Sequence, residues 1–203
     1  MQTLHTLIKE LTPDDVPALE KHFLSLDEND RRLRFGSPLN DHAVRNYVRK
    51  IDFDRDAVFG VVDDKLNIIA AGHLARSGGA AELGVSVVTK HRGKGFGGAM
   101  LRRAHMHARN WGSPKLFMHC LSENSTMMYL ARKQGMDIVA EYGEADAWLK
   151  LPPADTASYM NEVFEQRVAL FDYALKSQLH GARRAAKVLA NAGKPRSKSP
   201  KGL

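Results

Sequence analysis

The chain has 203 residues, 43% of them hydrophobic, and a formal net charge of +7, enough to bury one substantial core and too apolar for a chain disordered throughout. Residues 176–203 carry eight Lys or Arg and no Asp or Glu, which leaves 22 basic against 23 acidic groups before them. The folded part is therefore near neutral and has no aromatics interleaved on a basic face, which argues against a nucleic-acid partner.

The N-terminal stretch MQTLHTLIKELTPDD has no apolar run of leader length, and no run is long enough to cross a bilayer, so a cytoplasmic protein with no membrane partner is expected. Within it, TLHTLIKEL reads as an opening strand. Thr12 as N-cap with Pro13 at the first helical position predicts a helix through about Leu26. DENDRRLRF reads as a second short helix. Asp41 then caps a third, HAVRNYVRKI, in which Val44, Tyr47, Val48 and Ile51 share one face.

AVFGVVDD, LNIIAAGHLAR and AAELGVSVVT are apolar segments joined by short connections, the second of them the pair Gly78-Gly79, and predict a three-strand meander. A glycine-rich loop and a helix from Gly98 to Asn110 come next. KLFMHCL is a strand, NSTMMYLARKQG a helix with Asn124 near its start and Gly135 at its end, and DIVAEYGEADAWLKL a closing hairpin. Cys120, the only cysteine, lies in KLFMHCL and reads as a small core hydrophobe. Pro152-Pro153 ends this unit. Beyond it Met160, Phe164, Val168, Phe171, Leu175 and Leu179 form one apolar stripe on a helix of about 25 residues. The stripe must be covered by its own domain, by a second subunit in a homodimer, or by another partner. The chain divides into a body, 1–152, a C-terminal amphipathic helical extension, 153–190, and a basic tail, 191–203, too polar to order itself.

The loop TKHRGKGFGGAML sets four glycines among three cations at the end of a strand. Glycine lets backbone N–H groups turn toward one point, and Lys90, Arg92 and Lys94 make that point positive, so its ligand should be an anion, most naturally phosphate. A Walker loop is absent, because no Gly-Lys pair is followed by Ser or Thr in frame. Gly93, Gly95 and Gly98 match G-x-G-x-x-G formally, yet no carboxylate occurs between Gly98 and Glu123 to hold a ribose, which speaks against a dinucleotide.

The pattern [Q/R]-x-x-G-x-[G/A] is met by Arg92, Gly95 and Gly97, directly after a strand carrying Glu82. Here the chain resembles the GNAT superfamily of acetyl-CoA-dependent N-acyltransferases, over roughly residues 3–150, and LDENDRRLRF and NSTMMYLARKQGM resemble the bacterial branch that includes protein-lysine acetyltransferases. The resemblance implies an α/β (α+β) fold: a mixed, mostly antiparallel sheet of about 6–7 strands flanked by helices. It also implies that the amides of Gly93, Lys94, Gly95, Phe96, Gly97 and Gly98, with Arg92, hold the pyrophosphate of acetyl-CoA at a helix N-terminus. Val85, Ser86 and Val87 would pair with the pantetheine arm, Asn124 would touch that arm, and Glu82 would be the base for a primary amine acceptor, a protein lysine or a small molecule. Small Gly84 and Ser86 beside Glu82 would leave room for a substrate on that face.

One departure from the family pattern stands out. A tyrosine that protonates the leaving thiolate in many members is replaced by Ala131, and Tyr129 is two residues away, so it is expected to face elsewhere. His105 and His107 diverge on their helix and the nine histidines lack ligand spacing, so no metal is expected. His119 reads as a second proton carrier or, more simply, a partly buried strand histidine, and Arg132 and Lys133 as cations within reach of an outer phosphate. Two functions fit this reading: an N-acetyltransferase acting by direct attack in a ternary complex, or a non-catalytic acyl-CoA-binding module that acts through its C-terminal helix and basic tail.

Overall fold

A computed structural model describes residues 6–192. Strand β1 (Lys9–Glu10) is followed by helices α1 (Val16–Leu24), α2 (Glu28–Phe35) and α3 (Asp41–Arg49). The meander β2 (Ala57–Val62), β3 (Ile68–Ser77) and β4 (Ala80–Val87) leads into α4 (Phe96–Asn110). Then come β5 (Lys115–Leu121), α5 (Ser125–Lys133), the hairpin β6 (Asp137–Glu141) and β7 (Glu144–Lys150), and α6 (Thr156–Ala192). The expected α/β class and the meander are both present. The opening strand is only two residues long, and residues 1–5, like the tail beyond Ala192, lie outside the described residues.

The strands form one sheet in the order β1-β2-β3-β4-β5-β7-β6, antiparallel at every neighbour except β4 with β5. That parallel pair requires a crossover, which α4 supplies. Helices cover both faces of the meander, which is why β2 is one unbroken apolar run: Val58 joins Phe23, Leu19 and Val44 under α1 and α3, while its neighbour Phe59 joins Met100, Leu83 and Leu116 under α4. In β5 the alternation is clean. Leu116, Met118 and Cys120 are buried, and His119 is exposed on the other face. Burial pushes the Cys120 thiol pKa up, as a core position requires.

Two details differ from the sequence reading. The cap of α3 is Asn40, whose side chain accepts from the Ala43 N–H at 2.9 Å; Asp41 instead occupies the first turn and ion-pairs Arg31 at 2.8 Å. Both residue types cap well, so only the chain path decides between them. The larger difference is α6, which runs for 37 residues and docks through a polar side. Ser158, Glu162 and Ala169 are buried, whereas Met160, Phe164 and Phe171 are 64%, 70% and 74% exposed and Leu175 and Leu179 each 48%. The apolar stripe is thus not covered by its own domain among the described residues.

The polar side faces a buried guanidinium. Arg103 of α4, 1% exposed, donates to Glu162 at 2.5 Å and reaches Glu10 at 3.4 Å, with its charge over the Phe59 ring. His107 also contacts Glu162, and Asn110 donates to it at 2.5 Å. Glu10, His107 and Glu162 stand close enough to share a cation, but Arg103 already supplies the positive charge their carboxylates need.

Candidate active site

After β4 the chain tightens into a single 3-10 turn, Thr89–His91, and passes through Arg92 in extended conformation to Gly93 and Gly95, whose φ angles are +74° and +83°. Only glycine takes this left-handed region without strain, and the two reversals let successive amides face one side as α4 begins. Gly97 has a different reason: a Cβ there would lie 3.0 Å from Leu130 Cδ1, so it is the closeness of α4 to α5 that requires it. Asp30 of α2, itself buried, clips the bend from outside by accepting from Thr89 Oγ1 at 3.0 Å and pairing with Arg92 at 2.5 Å. Burial, then the charges of Lys94 and Lys90, lower the pKa of His91 between them, so the cations of the bend are its lysines and Arg92.

The second half of the site is a gap in the sheet. Strands β4 and β5 pair only at Ala81–Leu116 and Glu82–Phe117, although β4 continues to Val87 in full register with β3 and β5 continues to Leu121 in full register with β7. From Leu83 onward one edge of β4 has no strand beside it, which is a set of amides and carbonyls open to an extended ligand. A cavity of about 520 Å³ runs along the end of this edge, between the bend and α5. Its wall brings together Val85, Ser86, Val87, Arg92, Gly93, Gly95, Phe96, Gly97, Gly98 and Asn124, and omits Lys94 and Glu82.

Individual side chains refine this picture. Asn124 caps α5 by accepting from Met127 N–H at 3.2 Å, and its amide reaches the Leu33 carbonyl of α2 at 3.5 Å. The Ser86 hydroxyl donates to His22 Nε2 at 2.7 Å, while His22 Nδ1 donates to the Ile68 carbonyl at 2.9 Å. Burial lowers the His22 pKa to about 4, so this ring is neutral and can accept. Glu82 stands at the point where β4 and β5 part, half-buried and without a hydrogen-bond or ion-pair partner among the described residues.

The face beside Glu82 is not open as the small residues suggest. The Arg34 guanidinium lies directly over Gly84, where a Cβ would fall 2.3–2.4 Å from its Cζ, Nη1 and Nη2, and His22 covers Ser86. Tyr129, expected to face away, is in the cavity wall with Lys133, because the cavity curves round the exposed side of α5; Ala131 is buried in the core. Of the two cations at the end of α5, Lys133 reaches the cavity and Arg132 does not. His119 pairs with Asp146 at 2.7 Å, outside the cavity. Asp30 and Arg34 are among the lining residues that the sequence reading named only as part of a helix, and Tyr129 is one it placed elsewhere; nothing in the spacing of LDENDRRLRF singles out Arg34.

A family model described as an acetyltransferase (GNAT) domain matches residues 5–137. Among solved structures the chain is similar to the GNAT domain of S. lividans PAT, at 21% identity and a TM-score of 0.62, covering 71% of this chain and 89% of that one. It is also similar to the spermidine N-acetyltransferase from Vibrio cholerae in complex with CoA and spermine (18%, TM-score 0.57, 70% and 94% covered). A third is yncA from Salmonella typhimurium with its cofactor acetyl-CoA (16%, TM-score 0.56, 73% and 95% covered). At such identities the shared property is the fold.

Proposed function

Since the chain belongs to the GNAT acetyltransferase family, we propose that it transfers an acetyl group from acetyl-CoA to a primary amine, on a protein lysine or a small molecule, by direct attack in a ternary complex. The observation that carries this is the unpaired β4 edge running into a glycine-rich bend at the N-terminus of α4. In this reading the edge from Val85 to Val87 pairs with the pantetheine arm, and one of its N–H groups polarises the thioester carbonyl. The amides from Gly93 to Gly98, Lys94 included, and Arg92 hold the pyrophosphate, with Asn124 on the opposite wall.

Glu82 takes a proton from the acceptor ammonium, which at pH 7 is neutral only about one time in 2,500. The nitrogen then attacks the thioester carbon; as the C–S bond breaks, the second proton of the nitrogen passes through water to the departing thiolate, since Ala131 offers no acid. Isothermal calorimetry with acetyl-CoA and release of free thiol across an amine panel test the proposal. Saturable heat without turnover on any amine would leave only the coenzyme-binding half standing. Gly95→Ala is expected to weaken acetyl-CoA about tenfold, because a Cβ at positive φ costs about 1–2 kcal/mol and turns an amide away. An unchanged Kd for that variant would place the diphosphate elsewhere.

Residues 1–152 are the catalytic body in this reading, residues 153–190 an extension that joins two copies, and 191–203 a solvated basic tail. The exposed stripe on α6 supports a homodimer seam: Met160, Phe164, Phe171, Leu175 and Leu179 all lie open along one long helix. Light scattering is expected to give twice 22.6 kDa for the chain, and a Phe164→Asp, Phe171→Asp double variant should give the single value. A monomeric parent chain would refute this seam.

A further inference from the structure

We propose that Arg34 binds a carboxylate carried by one of the two substrates at the acyl end of the cavity, and so sets which donor or acceptor this enzyme takes. The inference rests on the acetyl-transfer reading above and deepens it.

Arg34 leaves α2 and crosses β4, and it is held in an aromatic cage, with its charge 4.9 Å from the Phe35 ring, 5.6 Å from Tyr47 and 5.8 Å from Phe23. Its Nη2 donates to the Tyr47 hydroxyl at 2.9 Å, which donates in turn to His73 Nδ1 at 2.7 Å, and His73 Nε2 donates to Asp56 at 3.0 Å. Burial lowers the His73 pKa, so the ring is neutral and the relay has one proton direction, outward from the guanidinium to Asp56. Three aromatic rings and this relay fix the fork in place without neutralising it.

Among the described residues Arg34 is the one partly buried arginine with no carboxylate within 4 Å. Arg31, Arg32, Arg45, Arg103 and Arg109 each have one. The Nε of Arg34 is buried with no acceptor, and Nη1 has none either. A guanidinium with a buried N–H and no acceptor carries a standing penalty that a ligand's carboxylate would relieve. The guanidinium also lies in the cavity wall beside Val85 and Ser86, over the glycine midway between Ser86 and Glu82. In the proposed reaction this is where the acyl carbon meets the amine. The partner of a planar, always-charged fork at that point is a carboxylate. It belongs either to a donor whose acyl group ends in one, such as a dicarboxylic acid monothioester, or to an acceptor that bears one beside its amine.

Two matched comparisons separate these sources. Initial rates are measured for succinyl-CoA against butyryl-CoA with one amine, and for several α-amino acids against their own carboxamides with acetyl-CoA. The amine of a carboxamide is the more easily deprotonated, so the second comparison is biased against the proposal. The wild-type enzyme is expected to favour the carboxylate-bearing member of one pair by at least tenfold in kcat/KM, and Arg34→Met to bring that ratio close to one. Arg34→Lys keeps the charge in the cage and loses the fork, so it should fall between, which protects the test should the methionine variant not fold. Parity in both pairs for the wild-type enzyme, or a preference that survives Arg34→Met or Arg34→Lys undiminished, overturns the assignment. Calorimetry with CoA alone tells the two levels apart: absent heat removes the acetyl-transfer reading and this one with it, whereas normal heat with parity removes only the role of Arg34.

Discussion

Glu82→Gln is expected to lower kcat/KM at pH 7 by about 10²–10³-fold, with the deficit shrinking as the pH rises toward the pKa of the acceptor amine. The carboxylate sits where β4 and β5 separate, and no described side chain competes for it, so it is free to accept a proton. An amide of the same shape leaves the strand intact but cannot take the proton. At high pH the solvent does that work, which is why the ratio of parent to variant must fall. Should the two enzymes keep a constant ratio from pH 7 to 10, or differ by less than twofold, Glu82 is not the base. A uniform rise in KM alone would mean that it only binds the substrate.

Glu162→Ala is expected to destabilise the fold by about 3 kcal/mol, or about 6–12 °C in Tm. The change leaves Arg103, 1% exposed, facing only Glu10 at 3.4 Å, takes from His107 Nδ1 its partner, and leaves Asn110 Nδ2 with the Ser158 carbonyl at 3.2 Å alone. The same carboxylate makes a pH prediction. Burial alone would raise its pKa, but hydrogen bonds from His107 and Asn110, with the charges of His107 and Arg103, hold it down at about 2 from an ordinary value of 4.5. A group depressed in the folded state stabilises it fully above the unfolded value and loses that contribution as protons bind. Thermal melts should therefore show the gap between parent and Glu162→Gln closing as the pH falls from about 4.5 toward about 2. A gap that is flat over this window would show that the network is not charge-dependent.

Most of the frame was legible because its signals are local. The period-two pattern of β5, Asn124 at the start of α5, and the glycines at positive φ in the bend each act within a few residues. What escaped the sequence was decided at long range. Gly84 looked like space for a substrate, but a guanidinium from 50 residues earlier fills it. The stripe on α6 left open whether its own domain or a second copy covers it, although large apolar side chains normally face their own core. A buried arginine on α4 outweighed that tendency, since it demands a carboxylate, and Glu162 lies on the opposite side of the helix from Phe164 and Phe171. Tyr129 was misjudged for a related reason: helical rotation relative to Ala131 says which residues share a side, but not how far a cavity wraps around it.

The counter-charge that α6 supplies to Arg103 ties the extension to the body through a buried ion pair. A chain stopped at Pro153 would bare the α4 and β1 surface that α6 covers and leave Arg103 with a single distant carboxylate, so it should lose stability before any lost partner could be noticed. To ask what the helix recruits, its outward residues must be altered one side chain at a time, with Glu162 left standing.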